Sequence, residues 1–198
     1  MAPALLSKGA EGYVSETLFL KNPAVVKERK SKRYRIAQID SPLRLSRTLS
    51  EAKMLCAAKQ AGVLCPLVLF VDSQRMRIVL QKLRGNLLSR SSKGIRSKNA
   101  KNAGELLGLL HSAGICHGDY TTTNLMLCKD GLYVIDFGLS GFSLRIEDYA
   151  TDLLLYKKSV PAAEFSGFLS GYKKTNPKNS AAAIRQLCDI EGRGRYIA

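Results

Sequence analysis

Residues 117–138 read HGDYTTTNLMLCKDGLYVIDFG: a polar loop, an apolar hairpin and a second polar turn. Asp119, Asn124 and Asp136 place two carboxylates and a carboxamide at the spacing that phosphoryl transfer from a magnesium nucleotide requires. That transfer asks little covalent work of a protein. It needs metal ions on the β and γ oxygens and a residue to orient the attacking hydroxyl or water. Magnesium takes oxygen ligands and keeps several waters, so one carboxylate with one carboxamide suits it, and Asp136 and Asn124 are the candidate ligands. Asp119, on the same loop as Asn124, is then placed to face the nucleophile and accept or orient its proton. NLMLC and LYVID flank Lys129-Asp130-Gly131, a hairpin signal that brings Asn124 and Asp136 together.

Upstream, TLFLKNPAVVKERK predicts two strands about a Lys-Asn-Pro turn, with Lys27 at the end of the second. SRTLSEAKMLCAAKQAG predicts a helix that carries Glu51, has Leu49, Ala52, Leu55 and Cys56 at helical spacing and stops at Gly62. VLCPLVLFVD and RMRIVLQKL predict further strands. The polar, basic GNLLSRSSKGIRSKN reads as the connection between lobes. A helix from about Lys98 to Ser112 follows, with Ala100, Ala103, Leu107 and Leu110 as its apolar stripe and Gly114 as its end. EDYATDLLLYKKS, AAEFSGFLSGYKK and NSAAAIRQLCDI predict three more helices. The expected fold is α+β and two-lobed, with a β-rich lobe and one helix in residues 1–84 and a mostly helical lobe in residues 85–198.

The bulk properties fit that size and class. A chain of 198 residues can bury one good core or two small packed lobes, and 45% hydrophobic with 24% charged residues excludes wholesale disorder. No apolar run approaches the ~20 residues of a bilayer span, and MAPALLSKGAEG lacks the basic and apolar regions of a secretion signal. The five cysteines are scattered and never form C-x-x-C, which favours a reducing compartment, the cytoplasm, over a disulfide framework or a zinc site. The formal charge of +15 exceeds the magnitude of about 2 to 8 that serves solubility in a small domain. The excess clusters in Lys27–Arg35, in Arg90–Lys101 and towards the C-terminus, and points to a polyanion partner, a nucleic acid.

H-x-D-x-x-x-x-N followed by D-F-G is the catalytic core of the protein kinase superfamily. The spelling HGDYTTTN with IDFGLS resembles the small atypical kinases of the PRPK type, the kinase or ATPase subunit of the KEOPS (EKC) complex. SKGAEG, VVKERKSKRYR, RTLSEA, EDYATDL and the terminal GRGR extend the resemblance over nearly the whole chain. By that similarity Lys27 is the strand lysine that holds the α and β phosphates, and Glu51 is the helix glutamate paired with it. Gly9, Ala10, Glu11 and Gly12 form a reduced phosphate cover, and Gln81 and Leu83 lie at the hinge that receives adenine. Asp152 resembles the buried helix aspartate that bonds the catalytic-loop backbone, and His117 a structural histidine packed under D-F-G. Arg193 and Arg195 resemble a basic tail that reaches tRNA or the partner. The cofactors implied are ATP and Mg2+. The partners implied are the KEOPS catalytic subunit, which makes threonylcarbamoyladenosine on tRNA, a small accessory KEOPS subunit, and tRNA, with a nuclear as well as cytoplasmic location in a eukaryote. No membrane partner is implied. Autophosphorylation on Ser or Thr is expected beside ATP hydrolysis.

The departures from the kinase pattern are as informative. Gly118 stands where conventional kinases carry the Arg that binds a phosphorylated activation loop. Only Leu139–Ile146 separates D-F-G from Glu147, and no A-P-E follows, so an activation loop with its peptide-docking platform has no room. Two other readings stand beside ATP turnover. One is a small-molecule phosphotransferase of the aminoglycoside or choline kinase type, which shares H-G-D but has a large helical insertion. The other is a non-catalytic scaffold or tRNA-binding subunit. Residue by residue, Lys27 could be one of a basic surface run, and Glu51 and Asp152 solvated helix residues. Cys116 reads as buried apolar volume, and His111 as a capping or core histidine.

Overall fold

The computed structural model describes residues 5–8, 12–31 and 36–194. They divide into two compact units, one drawn from Met1–Ala57 with Pro66–Leu83, the other from Ala58–Cys65 with Arg84–Ala198. In the first unit, β1 (Leu5–Lys8), β2 (Tyr13–Phe19), β3 (Asn22–Glu28), β4 (Val68–Asp72) and β5 (Arg77–Gln81) form a five-stranded antiparallel sheet in the order β1-β2-β3-β5-β4. The β2–β3 hairpin closes through Leu20 and Lys21, both left-handed at φ 49° and 67°, with Phe19 paired to Asn22. Two successive left-handed residues match the twist of the flanking strands. The turn therefore precedes Asn22-Pro23, which lies inside β3, and the Lys-Asn-Pro turn expected from sequence is corrected by one step.

Helix α1 (Ala37–Gln60) starts nine residues before the sequence expectation and carries Pro42 inside it. Pro42 cannot donate to the Gln38 carbonyl, but both residues are exposed and water can serve that oxygen. The buried face runs through Thr48, Glu51, Ala52, Leu55 and Ala58. Leu49 and Cys56, expected on that stripe, are exposed. A polar threonine and a glutamate occupy the inner face in their place, which hides it from a count of apolar residues.

The second unit holds a three-stranded sheet, β6 (Gly85–Leu87), β8 (Leu125–Cys128) and β9 (Gly131–Val134), in the order β6-β8-β9. A small ladder pairs β7 (Ile115–Cys116) with β10 (Gly141–Phe142). Its helices are α2 (Lys93–Ser112), α3 (Ile146–Lys158), α4 (Ala162–Thr175) and α5 (Ser180–Gly194). The basic stretch expected as a plain connection is thus β6, a 3-10 turn with Leu88 fully buried, and the first two turns of α2. The stripe Ala100, Ala103, Leu107 and Leu110 is buried as expected, and Gly114, at φ 70°, ends the helix by donating to the His111 carbonyl.

Helices α2 and α4 meet almost backbone to backbone. A Cβ on Gly104 would lie 1.9 Å from the Phe168 carbonyl oxygen, and one on Gly171 would lie 2.0 Å from that of Lys101. Beside this seam Tyr120, Tyr156, Phe165, Phe168 and Tyr172 form an aromatic core, with the Tyr156 and Phe168 rings stacked at 3.9 Å. Buried Tyr120 donates its hydroxyl to the Ala103 carbonyl at 2.7 Å, which fastens the catalytic-motif loop to α2. Residues 58–65 join this unit through Leu64, whose carbonyl accepts the Val134 N–H at 2.8 Å, and through Lys59, whose ammonium lies over the Tyr133 ring. No helix among the described residues is long and apolar enough to cross a membrane.

Candidate nucleotide and phosphoryl-transfer site

In the first unit β3 carries Lys27 towards α1, and its ammonium meets Glu51 Oε1 at 2.6 Å. The other carboxylate oxygen of Glu51, Oε2, meets Arg29 Nη2 at 2.6 Å. Glu51 and Arg29 are 2% and 4% exposed, so the ion pair is buried and breaking it by removing one partner costs ~3–5 kcal/mol. Arg29 was not singled out from the sequence. The signal was there, because residues i and i+2 of a strand share a face and Arg29 is two beyond Lys27. Gln81, at the end of β5, donates its N–H to the Leu67 carbonyl at 2.9 Å and accepts the Leu67 N–H on its side chain. That side chain is already engaged. Leu83 follows, half-buried. Gly12 sits so close to Glu28 that a Cβ there would lie 2.1 Å from its carbonyl oxygen, while Gly9, Ala10 and Glu11 lie outside the described residues.

In the second unit the loop after β7 is fixed from below by Asp152 of α3. Its Oδ2 accepts the His117 N–H at 2.7 Å and its Oδ1 the Gly118 N–H at 2.9 Å. Asp152 is held in turn by His111. Asn176 Nδ2 can only donate to the Tyr172 hydroxyl, so Tyr172 donates to His111 Nδ1, and His111 Nε2–H points at Asp152 Oδ2 at 3.2 Å. Cys116 lies beside His111 and Asp152, with ligand-type atoms of all three within 4.8 Å of one another. Both oxygens of Asp152 and both nitrogens of His111 are already committed, so the trio is a structural knot, and burial pushes the Cys116 thiol up to about 12. His117 is wholly buried. Its Nε2 donates to the Ile135 carbonyl at 3.2 Å, its ring packs edge-on against Phe137, and burial lowers its pKa. These are the structural roles expected for His117, His111 and Asp152.

Above this base Asn124 Nδ2 donates to both the backbone oxygen and the Oδ2 of Asp119, each at 2.8 Å. With its NH2 group spent on Asp119, the oxygen of the carboxamide is the atom left for a cation. The ladder of β8 with β9 continues as Ile135 donates to the Asn124 carbonyl at 2.9 Å, which sets Asn124 next to the residue before Asp136. Asp136 is exposed and left-handed at φ 61°, and its Oδ1 accepts the Gly138 N–H. A carboxylate and a carboxamide oxygen on adjoining strand ends are a hard, open donor set of the kind magnesium accepts. After Gly138 the chain turns straight back: β10 pairs with β7, and Ser143 donates to the Gly114 carbonyl. Gly118, at φ 79°, lies so close to Leu139 that a Cβ would approach its carbonyl oxygen to 2.5 Å. Arg193 is exposed near the end of α5, which takes in the first residues of the stretch read as a basic tail, up to Gly194, and Arg195 lies outside the described residues.

A β-sheet unit with one helix carrying the Lys-Glu pair, and a helical unit carrying the catalytic loop and D-F-G turn, define a protein-kinase-like fold. A model of the phosphotransferase enzyme family matches residues 112–183. Among solved structures, WaaP in complex with acyl carrier protein superposes with a TM-score of 0.66 at 14% identity, over 96% of this chain and 88% of that one. The Rio2 kinase of Chaetomium thermophilum, solved as an ADP/Mg2+-phosphoaspartate complex, gives 0.60 at 16% identity, over 94% and 72%. The KEOPS complex subunit Bud32 of Pyrococcus abyssi is 39% identical over 97% of this chain and 96% of its own length, and the chain belongs to that Bud32 family. It is also 39% identical, over 97% of its length, to a Methanobrevibacter smithii protein named a probable bifunctional tRNA threonylcarbamoyladenosine biosynthesis protein. The chain spans only 36% of that relative.

Proposed function

We propose that this chain binds ATP with magnesium and hydrolyses it as the kinase-type subunit of a KEOPS assembly that makes threonylcarbamoyladenosine on tRNA. Lys27, positioned by Glu51, holds the α and β phosphates, with Gly9–Gly12 as a short cover and the Gln81 carbonyl and Leu83 backbone groups offered to adenine. Asp136 and the Asn124 oxygen are the magnesium ligands, and the metal when bound supplies charge neutralisation at the β and γ phosphates. Asp119 orients the attacking water, or a Ser or Thr hydroxyl in autophosphorylation. The observation that carries this reading is the pair of hydrogen bonds from Asn124 Nδ2 to Asp119, which holds the carboxylate and leaves the amide oxygen as the group for a cation.

Turnover inside an assembly is favoured over phosphorylation of free proteins because the chain after Gly138 pairs at once with β7 and offers no peptide platform. The catalytic KEOPS subunit, a small accessory subunit and tRNA are the partners. Arg193, Arg195 and the exposed basic residues Arg90, Lys93, Lys98 and Lys101 would face the tRNA backbone, with an affinity that falls as salt rises. The compartment is the cytoplasm, with the nucleus added in a eukaryote.

Single-turnover ATP hydrolysis by the intact assembly, with parent and Asp136→Ala subunits, tests the metal assignment. A drop of about 100-fold or more is expected, and equal rates sink it. A parent with no magnesium-dependent turnover, with or without partner and tRNA, favours the scaffold reading.

A further inference from the structure

The carboxylate of Glu51 is divided between two cations, Oε1 with Lys27 and Oε2 with Arg29, each at 2.6 Å. Arg29 is the deeper of the two, at 4% exposure against 14% for Lys27. Its main chain is tied on both sides: its N–H donates to the Met76 carbonyl at 3.1 Å, and its carbonyl accepts Arg44 Nη1 at 3.1 Å. Arg44 is itself held on α1 by Asp40 at 2.7 Å. The guanidinium that grips Glu51 therefore rides on a segment pinned both to the turn before β5 and to α1.

We propose that Arg29 is a positioning residue for nucleotide binding, which holds Glu51 in place while Lys27 reaches from it to the phosphates. The role rests on the nucleotide reading above. A buried carboxylate served by one lysine alone would hold that lysine, because each step of the ammonium towards a phosphate would strip the carboxylate of its only counter-charge. Arg29 removes that conflict.

Magnesium ATP and adenosine are titrated calorimetrically into the full chain as parent, Arg29→Met, Arg29→Lys, Glu51→Gln and Arg29→Met/Glu51→Gln. Arg29→Met should lose roughly ten-fold in affinity for magnesium ATP, and adenosine, which has no phosphates, should stay within about two-fold. Arg29→Lys should recover part of the loss. In the Glu51→Gln background the Arg29→Met change should matter by less than about two-fold, since no carboxylate remains to be held. That comparison also decides the matter if Arg29→Met alone does not fold. Equal losses for both ligands, no loss, or a ten-fold effect that persists with Gln at position 51 overturns the role of Arg29 alone. A parent that binds neither ligand takes down the nucleotide reading and this role with it.

Discussion

Asp152 accepts the Gly118 N–H at 2.9 Å, and so one carboxylate on α3 sets the turn from which Asp119 projects. Its second oxygen takes the neighbouring His117 N–H, and both bonds are buried or nearly so. Asp152→Asn presents an NH2 group to one of these donors and leaves it without an acceptor. The expected loss is ~2–4 kcal/mol of stability, read by urea unfolding, with ATP turnover falling alongside because the loop loses its fixed turn. Asp152→Ala should cost more.

Gly118→Arg would restore the residue of conventional kinases in name only. The position is left-handed at φ 79°, and a Cβ meets the Leu139 carbonyl oxygen at 2.5 Å. The variant should lose about 2 kcal/mol or more and gain no phospho-dependent activation, since no loop is present for the arginine to grip. A thermal melt and an activity assay after treatment with an upstream kinase check both parts.

The titrating core sets limits on pH at both ends. Cys116 ionises near 9 when unfolded and at about 12 in the fold, because burial disfavours the thiolate. Its contribution is complete below pH 9 and is lost as pH rises from there towards 12, at up to ~1.4 kcal/mol per unit. Burial holds His117 below its usual range, so its contribution is complete above the unfolded value near 6.5 and is lost as pH falls through and below it. Urea midpoints across pH should therefore decline on both sides. Cys116→Ala should flatten the alkaline limb, and His117→Gln the acid one.

The α2–α4 seam should be the least tolerant surface to added methyl groups. Gly171→Ala and Gly104→Ala each drive a Cβ into a carbonyl oxygen, and each should cost about 3 kcal/mol or more. Gly192→Ala in α5, with nothing within 4 Å, should instead gain roughly 0.5–1 kcal/mol from helix propensity. Chemical denaturation of the three variants checks the contrast.

The polar constellation was legible because its chemistry is written in local spacing: Asp119, Asn124 and Asp136 share one loop and one hairpin, and the hairpin brings their backbones together. Asp152 was legible only through resemblance, since a lone aspartate on a helix has no spacing partner. Arg29 was missed because a run of basic residues reads as a solvated face, and only the pairing of β3 with β5 and α1 buries it. Helix starts failed where local rules conflict with packing. Pro42 argued against the first turns of α1, and the Ser, Lys and Gly of Ser91–Gly94 disguised the start of α2, whose inner face is secured by its contact with α4.

Residues 58–65 belong with the helical unit although the sheet unit lies on both sides of them in the chain. The polypeptide therefore passes between the units three times, after Ala57, after Cys65 and after Leu83. No single cleavage yields either unit whole. An excised piece beginning at residue 84 would lack Leu64, the acceptor of the Val134 N–H, at the strand that leads into Asp136. Isolating the helical unit calls for splicing two stretches of chain together, and a gene truncated between its lobes should give insoluble product from either half.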